Sequence, residues 1–169
     1  TVQVETPETA AKDRFLAEYA SSHWDVVWLA SHGEFDHWDP KSACVQVDRA
    51  QSYVDVEDLL HAAPHGAARR LLMLNVCDGA RSAENGLLPR IGLAPAIASS
   101  DQAVISHLWP AEGWAAATFG VLLAMELART RSFFSSFSAA LDQLRDRPTE
   151  LANRFDAAGV CPTISDRLR

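Results

Sequence analysis

Leu71-Leu72-Met73-Leu74-Asn75-Val76-Cys77-Asp78-Gly79 is the stretch from which the fold can be read. Its unbroken apolar run predicts a buried strand of the kind found in parallel sheets, whose strands are covered on both faces. The polar loop Asp78 to Asn85 follows at once. The same build recurs upstream, where Val26-Val27-Trp28-Leu29-Ala30 leads into Ser31-His32-Gly33-Glu34-Phe35. It recurs downstream, where Ala103-Val104-Ile105-Ser106-His107-Leu108 is stopped by Trp109-Pro110. The Val26–Ala30 run is expected at the centre of the sheet, with Trp28 in the core.

Helix signals fill the intervals. Thr6-Pro7-Glu8 supplies a hydroxyl cap, a proline at the first helical position and an acid favoured by the helix dipole. That helix is expected to reach about Ser22, with Ala11, Phe15, Leu16 and Tyr19 on one face. Asp55 caps a brief helix through about His61, which Pro64-His65-Gly66 ends. Further helices are expected over about 86–99, 111–128 and 132–145, followed by a polar tail. Gly33 to Ser42 reads as a loop and Cys44 to Val47 as a short outer strand. A Val2/Val4 strand precedes the first helix. Strand then helix, with short connections, predicts an α/β domain with a mostly parallel central sheet flanked by helices.

Composition narrows the function. The 169 residues fit one domain, and the 48% hydrophobic content builds a core without metal or disulfides. Three cysteines at irregular spacing, Cys44, Cys77 and Cys161, read as free thiols in a reducing cytoplasm. The net charge of −7, with no basic cluster beyond Arg69-Arg70, argues against direct nucleic-acid binding and against an anionic membrane surface. No apolar run approaches a membrane span, and no secretory pattern opens the chain. A start at Thr1, directly in strand-like alternation, leads us to expect a piece of a longer polypeptide with further domains upstream.

His32 and Cys77 each follow a strand, at the carboxyl end where open parallel sheets present groups to substrate. A free thiol is only about 3% thiolate at pH 7, so thiol chemistry gains from a nearby base, and a histidine titrates in the right range. Neighbouring strand ends lie about 4.8 Å apart, within side-chain reach. Gly33 has no Cβ to hold a reacting group away. Its N–H and that of Cys77 are candidates for the oxyanion hole that acyl transfer needs. His32 would then protonate the leaving amine, and water would release the acyl group from the thiol.

These residues and their order give the chain a family resemblance. His32 stands 45 positions before Cys77; papain-like enzymes use the reverse order, whereas caspase-like enzymes place the histidine about 50 residues upstream. The Leu29–Phe35 stretch, the Leu72–Cys77 strand and nucleophile, and Ser106-His107-Leu108-Trp109-Pro110 together resemble a CHAT domain. This is a caspase-like branch of cysteine peptidases often joined to tetratricopeptide repeats. The resemblance spans about Val2 to Leu144. It implies a three-layer caspase-like fold over residues 1–147, with 148–169 a C-terminal tail packed on it. It also implies a cysteine endopeptidase with His32 and Cys77 as catalytic dyad and Gly33 and Cys77 at the oxyanion positions. Asn75 would line the pocket for the residue before the cut, and an extended substrate would lie along Ser106 to Trp109 by strand addition. No cofactor is implied; the partners are a protein substrate and a tetratricopeptide-repeat or other regulatory partner. The chain departs from the family after the nucleophile, where Asp78-Gly79-Ala80 replaces Glu-Ser-Gly, and before the third strand, where Ser99-Ser100-Asp101 replaces an Ala-Gly pair.

Other readings are weaker. His37 and Cys44 lack zinc spacing, so no metal is expected. Trp24, Trp38, Trp109 and Trp114 read as core or groove-lining residues. A flavodoxin-like module would need a phosphate-cradling glycine turn, which follows none of the strands. The alternative that survives is a catalytically silent scaffold that binds a partner peptide along its sheet edge.

Overall fold

The structure, a computed structural model, describes residues 12–21, 23–48, 52–62, 70–81, 92–108, 110–157 and 159. Its strands are β1 (Val26–Ala30), β2 (Gly33–Glu34), β3 (Cys44–Gln46), β4 (Tyr53–Asp55), β5 (Arg70–Asn75) and β6 (Gln102–Ser106). Its helices are α1 (Lys12–Ala20), α2 (Val56–His61), α3 (Leu93–Ile97), α4 (Gly113–Thr130), α5 (Phe133–Asp146) and α6 (Pro148–Ala157). The expected Val2/Val4 strand, the Thr6-Pro7-Glu8 cap, the Pro64-His65-Gly66 stop, Trp109 and Cys161 lie outside the described residues.

Residues 1–110 and 111–169 form two compact units. In the first, β1, β5 and β6 make a parallel sheet in the order β1-β5-β6, and β2, β3 and β4 make a small antiparallel sheet. A parallel sheet with helices is the mixed α/β architecture expected of a caspase-like fold. No described helix is long and apolar enough to cross a membrane.

The centre of the parallel sheet is β5 rather than β1. All six β5 residues are buried, whereas β1 alternates between exposed and half-buried positions. Val27 and Leu29 pack on a core of Tyr19, Val45, Val54, Leu59, Leu72, Leu74 and Val76. The alternate β1 residues, Val26 and Trp28, are 37% and 42% exposed, which corrects the expectation that Trp28 is core. Among the described residues β1 is an edge strand, so its apolar run does not imply cover on both faces. Trp38, 91% exposed, is likewise neither core nor groove-lining. It sits in a turn fixed by its N–H donating to Asp36 Oδ1 at 2.8 Å, with no periodic apolar face to carry it inward.

Local signals held where they were strongest. Asp55 caps α2 with a reciprocal box: its carboxylate accepts from the Asp58 N–H at 2.8 Å, and the Asp58 carboxylate accepts from the Asp55 N–H at 3.0 Å. The 33–42 segment is not all loop, because Gly33 and Glu34 pair with Val45 and Cys44 as β2. The polar tail begins as α6. In the second unit α4 and α5 form a hairpin, with Phe119 edge-on to Phe137 and Gln143 donating to the buried Glu126.

A charge is buried at the amino end of β5. Arg70 is 2% exposed and its partners are neutral: Nε donates to Gln102 Oε1 at 2.6 Å and Nη1 to the Tyr19 carbonyl at 2.5 Å. Its Nη2 has no hydrogen-bond partner. Burial pushes the guanidinium below its ordinary range. Two features offset that cost. The guanidinium meets a carbonyl in the last turn of α1, where the helix dipole favours a cation. It also lies 4.4 Å from the centroid of the Tyr19 ring. Gln102→Leu should therefore lower the unfolding free energy by about 2–3 kcal/mol, because it leaves Arg70 Nε–H buried and unpaired. Adding Arg70→Met should recover part of that loss in urea denaturation; strictly additive losses would show that the two side chains act independently.

Candidate active site

The site is assembled by register. Across the β1–β5 ladder Val26 pairs with Leu71 and Ala30 with Asn75. That last pair is closed by the Ser31 N–H donating to the Asn75 carbonyl at 3.3 Å. His32 and Cys77 each stand two residues beyond the Ala30–Asn75 pair, on neighbouring strands at the same end of the sheet. At His32 the chain changes sheets, since its carbonyl accepts from the Gln46 N–H at 2.9 Å. The His32 backbone is thus tied to β3 directly and to β5 through its neighbour Ser31.

The next residue closes the approach. A Cβ on Gly33 would lie 2.5 Å from the Cys77 carbonyl oxygen and 3.1 Å from Val76 Cβ, so only glycine fits without a backbone shift. The ladder also sets the direction of the Gly33 N–H. Because His32 and Gln46 are the hydrogen-bonded pair, Gly33 and Val45 are the next, non-hydrogen-bonded pair. The Gly33 N–H therefore points away from β3.

Cys77 opens a turn running to Ala80. Its second residue, Asp78, has φ 55°, a left-handed conformation costing a non-glycine residue about 1–2 kcal/mol. The Arg81 N–H donates to the Asp78 carbonyl at 2.9 Å. The Arg81 guanidinium lies 3.4 Å from Asp78 Oδ1 and 5.5 Å from the Phe35 ring centroid, linking the loop after β5 to the segment after β1. A Cβ on Gly79 would meet Ser106 Oγ and lie 2.7 Å from Val76 Cγ2, so a larger residue at 79 would force a neighbour to shift.

Two further expected site residues, Asn75 and Ser106, belong to a polar cluster beside this turn. Asn75 is buried, and its Oδ1 lies 2.6 Å from His107 Nε2, which makes Nε2–H the donor. Ser106 Oγ donates to the Leu74 carbonyl at 2.9 Å. The Ala80 N–H donates to the His107 carbonyl at 2.9 Å. The motif Ser106-His107-Leu108-Trp109-Pro110 assigns His107 no role, yet it follows the end of β6 as His32 follows the end of β1. Its imidazole is pushed below the ordinary value by burial. Both free thiols of the described region are half-buried; burial and then the Glu34 and Asp55 charges push Cys44 up, away from reactive thiolate chemistry.

The CHAT domain family matches the chain over residues 1–154. The chain belongs to that family. No curated protein matches it. CHAT domains are related to caspase-like peptidases, and this CHAT domain brings Gly33, next to His32, against the carbonyl of Cys77.

Two outcomes test this geometry. Gly33→Ala should cost about 1–3 kcal/mol in urea denaturation, as overpacking against a backbone oxygen does; an unchanged midpoint would mean that the two loops are not in contact. Acidification tests the buried imidazole. With its folded pKa below the ordinary 6.5, His107 binds a proton more readily in the unfolded chain. Its contribution to stability is complete above about pH 6.5 and is lost as pH falls towards the folded value. Wild type should therefore lose stability relative to His107→Gln between about pH 7.5 and about pH 5; a constant difference would contradict the burial.

Proposed function

We propose that this CHAT domain is a cysteine endopeptidase that cleaves protein substrates with Cys77 as nucleophile and His32 as general acid and base. The observation that carries this reading is the shared position of His32 and Cys77 beyond the Ala30–Asn75 register pair, with Gly33 pressed against the Cys77 carbonyl. In this reading His32 takes the thiol proton as the Cys77 sulfur attacks the scissile carbonyl. The oxyanion is held by the N–H groups of Gly33 and Cys77, the first of which points away from its own ladder. His32 passes that proton to the leaving amine as the C–N bond breaks, then takes one from the water that hydrolyses the thioester and returns it to the Cys77 sulfur as the C–S bond breaks.

Family membership supports the peptidase class, and the neutral Asn75 gives no basis for strict acidic or basic specificity. In the same reading the substrate lies as an extended strand along the β6 edge, and a regulatory partner such as a tetratricopeptide-repeat protein governs activity. The silent-scaffold reading uses the same edge. It is favoured by one observation, the β6 position at the edge of the described sheet.

Cleavage of a proteome-derived peptide library separates the two. Wild type should give cuts that share a residue preference, Cys77→Ala should give none, and His32→Ala should slow cleavage by about 10²–10⁴-fold. Peptide retention that is insensitive to Cys77→Ala, with no cleavage by wild type in the presence of its partner, would favour the scaffold.

A further inference from the structure

The thiol sits on a turn, and catalytic geometry has to be held to about half an ångström by groups locked through packing and hydrogen bonds. A strand end alone does not give that. After Asn75 the chain leaves the β5 ladder, passes Val76 and Cys77, and bends through the left-handed Asp78 to Ala80. Both ends of this segment meet one residue of another strand end. At the entry, Asn75 Oδ1 accepts from His107 Nε2 at 2.6 Å. At the exit, the Ala80 N–H donates to the His107 carbonyl at 2.9 Å. Between them Gly79 packs against the Ser106 hydroxyl, which itself bonds the Leu74 carbonyl.

We propose that His107 is a positioning residue for Cys77, gripping the nucleophile turn at its entry through the imidazole and at its exit through the backbone, a role that rests on the peptidase reading of Cys77. The residue type follows from the geometry. Reaching Asn75 from the end of β6 takes an N–H donor at the far end of a side chain of imidazole length, which glutamine also supplies and asparagine does not. The exit contact is main-chain, so any substitution keeps half of the clamp and the β5–β6 pairing that precedes it. His107 touches no reacting atom in this scheme. It acts through the placement of Cys77 against Gly33 and His32, where a misplacement of about 1 Å costs on the order of 100-fold in rate.

The test compares wild type, His107→Leu, His107→Gln and His32→Ala by two measurements. The first is hydrogen exchange over residues 75–81. His107→Leu should quicken exchange of the Val76–Ala80 amides by about tenfold or more, with α2 and the β3–β4 hairpin unchanged, and His107→Gln should match wild type. The second is the rate of Cys77 alkylation by iodoacetamide at one fixed pH, read at Cys77 by mass spectrometry so that Cys44 and Cys161 are separated. His107→Leu should lower that rate severalfold, and His107→Gln should leave it with wild type. If His32→Ala does not change the rate, the dyad reading fails, and hydrogen exchange alone decides the clamp. Exchange unchanged in His107→Leu, or not restored in His107→Gln, overturns the clamp even with an intact dyad. Should His107→Leu fail to fold, His107→Asn, whose amide is too short to reach Asn75, takes its place with the same expected and overturning results.

Discussion

The alignment of Ala30 with Asn75 across a parallel ladder is the constraint on which the site depends. Parallel pairing puts the carboxyl ends of β1 and β5 on one side of the sheet, and this register makes them level. A slip of one residue would leave His32 and Cys77 out of step and turn the alternate side chains of β1 to the opposite face. The buried row of β5 resists that slip, because Leu71 to Leu74 have no polar face to offer water. Hydrophobic burial thus fixes the relative height of two polar loops that bury little themselves.

Around that alignment the site is held by short-range fit rather than by charge. Gly33 and Gly79 are both positions where a Cβ would collide, the first with the Cys77 carbonyl and the second with Ser106 and Val76. The space at Gly33 is filled by the loop after β5, and that at Gly79 by the Ser106 side chain of β6 and by Val76. Asp78 takes the left-handed conformation that a glycine at its own place would have adopted more readily, and Arg81 bonds it from within the same loop. The polar groups of the β5 and β6 ends are matched with one another across the sheet, which satisfies them in a half-buried setting and stiffens the turn.

The strand β5 carries polar chemistry at both ends. Arg70 at its amino end meets the C-terminal turn of α1, and Asn75 at its carboxyl end meets His107. Both contacts are with residues distant in sequence, and both are made by polar residues that flank an otherwise apolar strand. The aliphatic stretch between them supplies the burial, and the two polar ends tie the strand to α1 and to β6.

Much of this was legible in the sequence because the signals are local. The apolar runs at 26–30, 71–74 and 103–108, the Asp55 cap and the helices near 111–128 and 132–145 follow from periodicity and from caps, which depend on residues a few positions apart. So does the placement of His32 and Cys77 directly after strands. The Gly33–Glu34 strand was not legible, since two residues gain strand geometry only from their partners Val45 and Cys44. Nor was the exposure of Trp28, because an apolar strand looks alike at the centre and at the edge of a sheet. The sequence by itself determined which residues begin and end the elements and which of them carry reactive groups. Only the tertiary structure decided which strand is central, that His32 stands level with Cys77, and that His107 reaches Asn75. Those facts depend on pairing between segments some thirty or more residues apart, and no local propensity encodes the register of one strand on another.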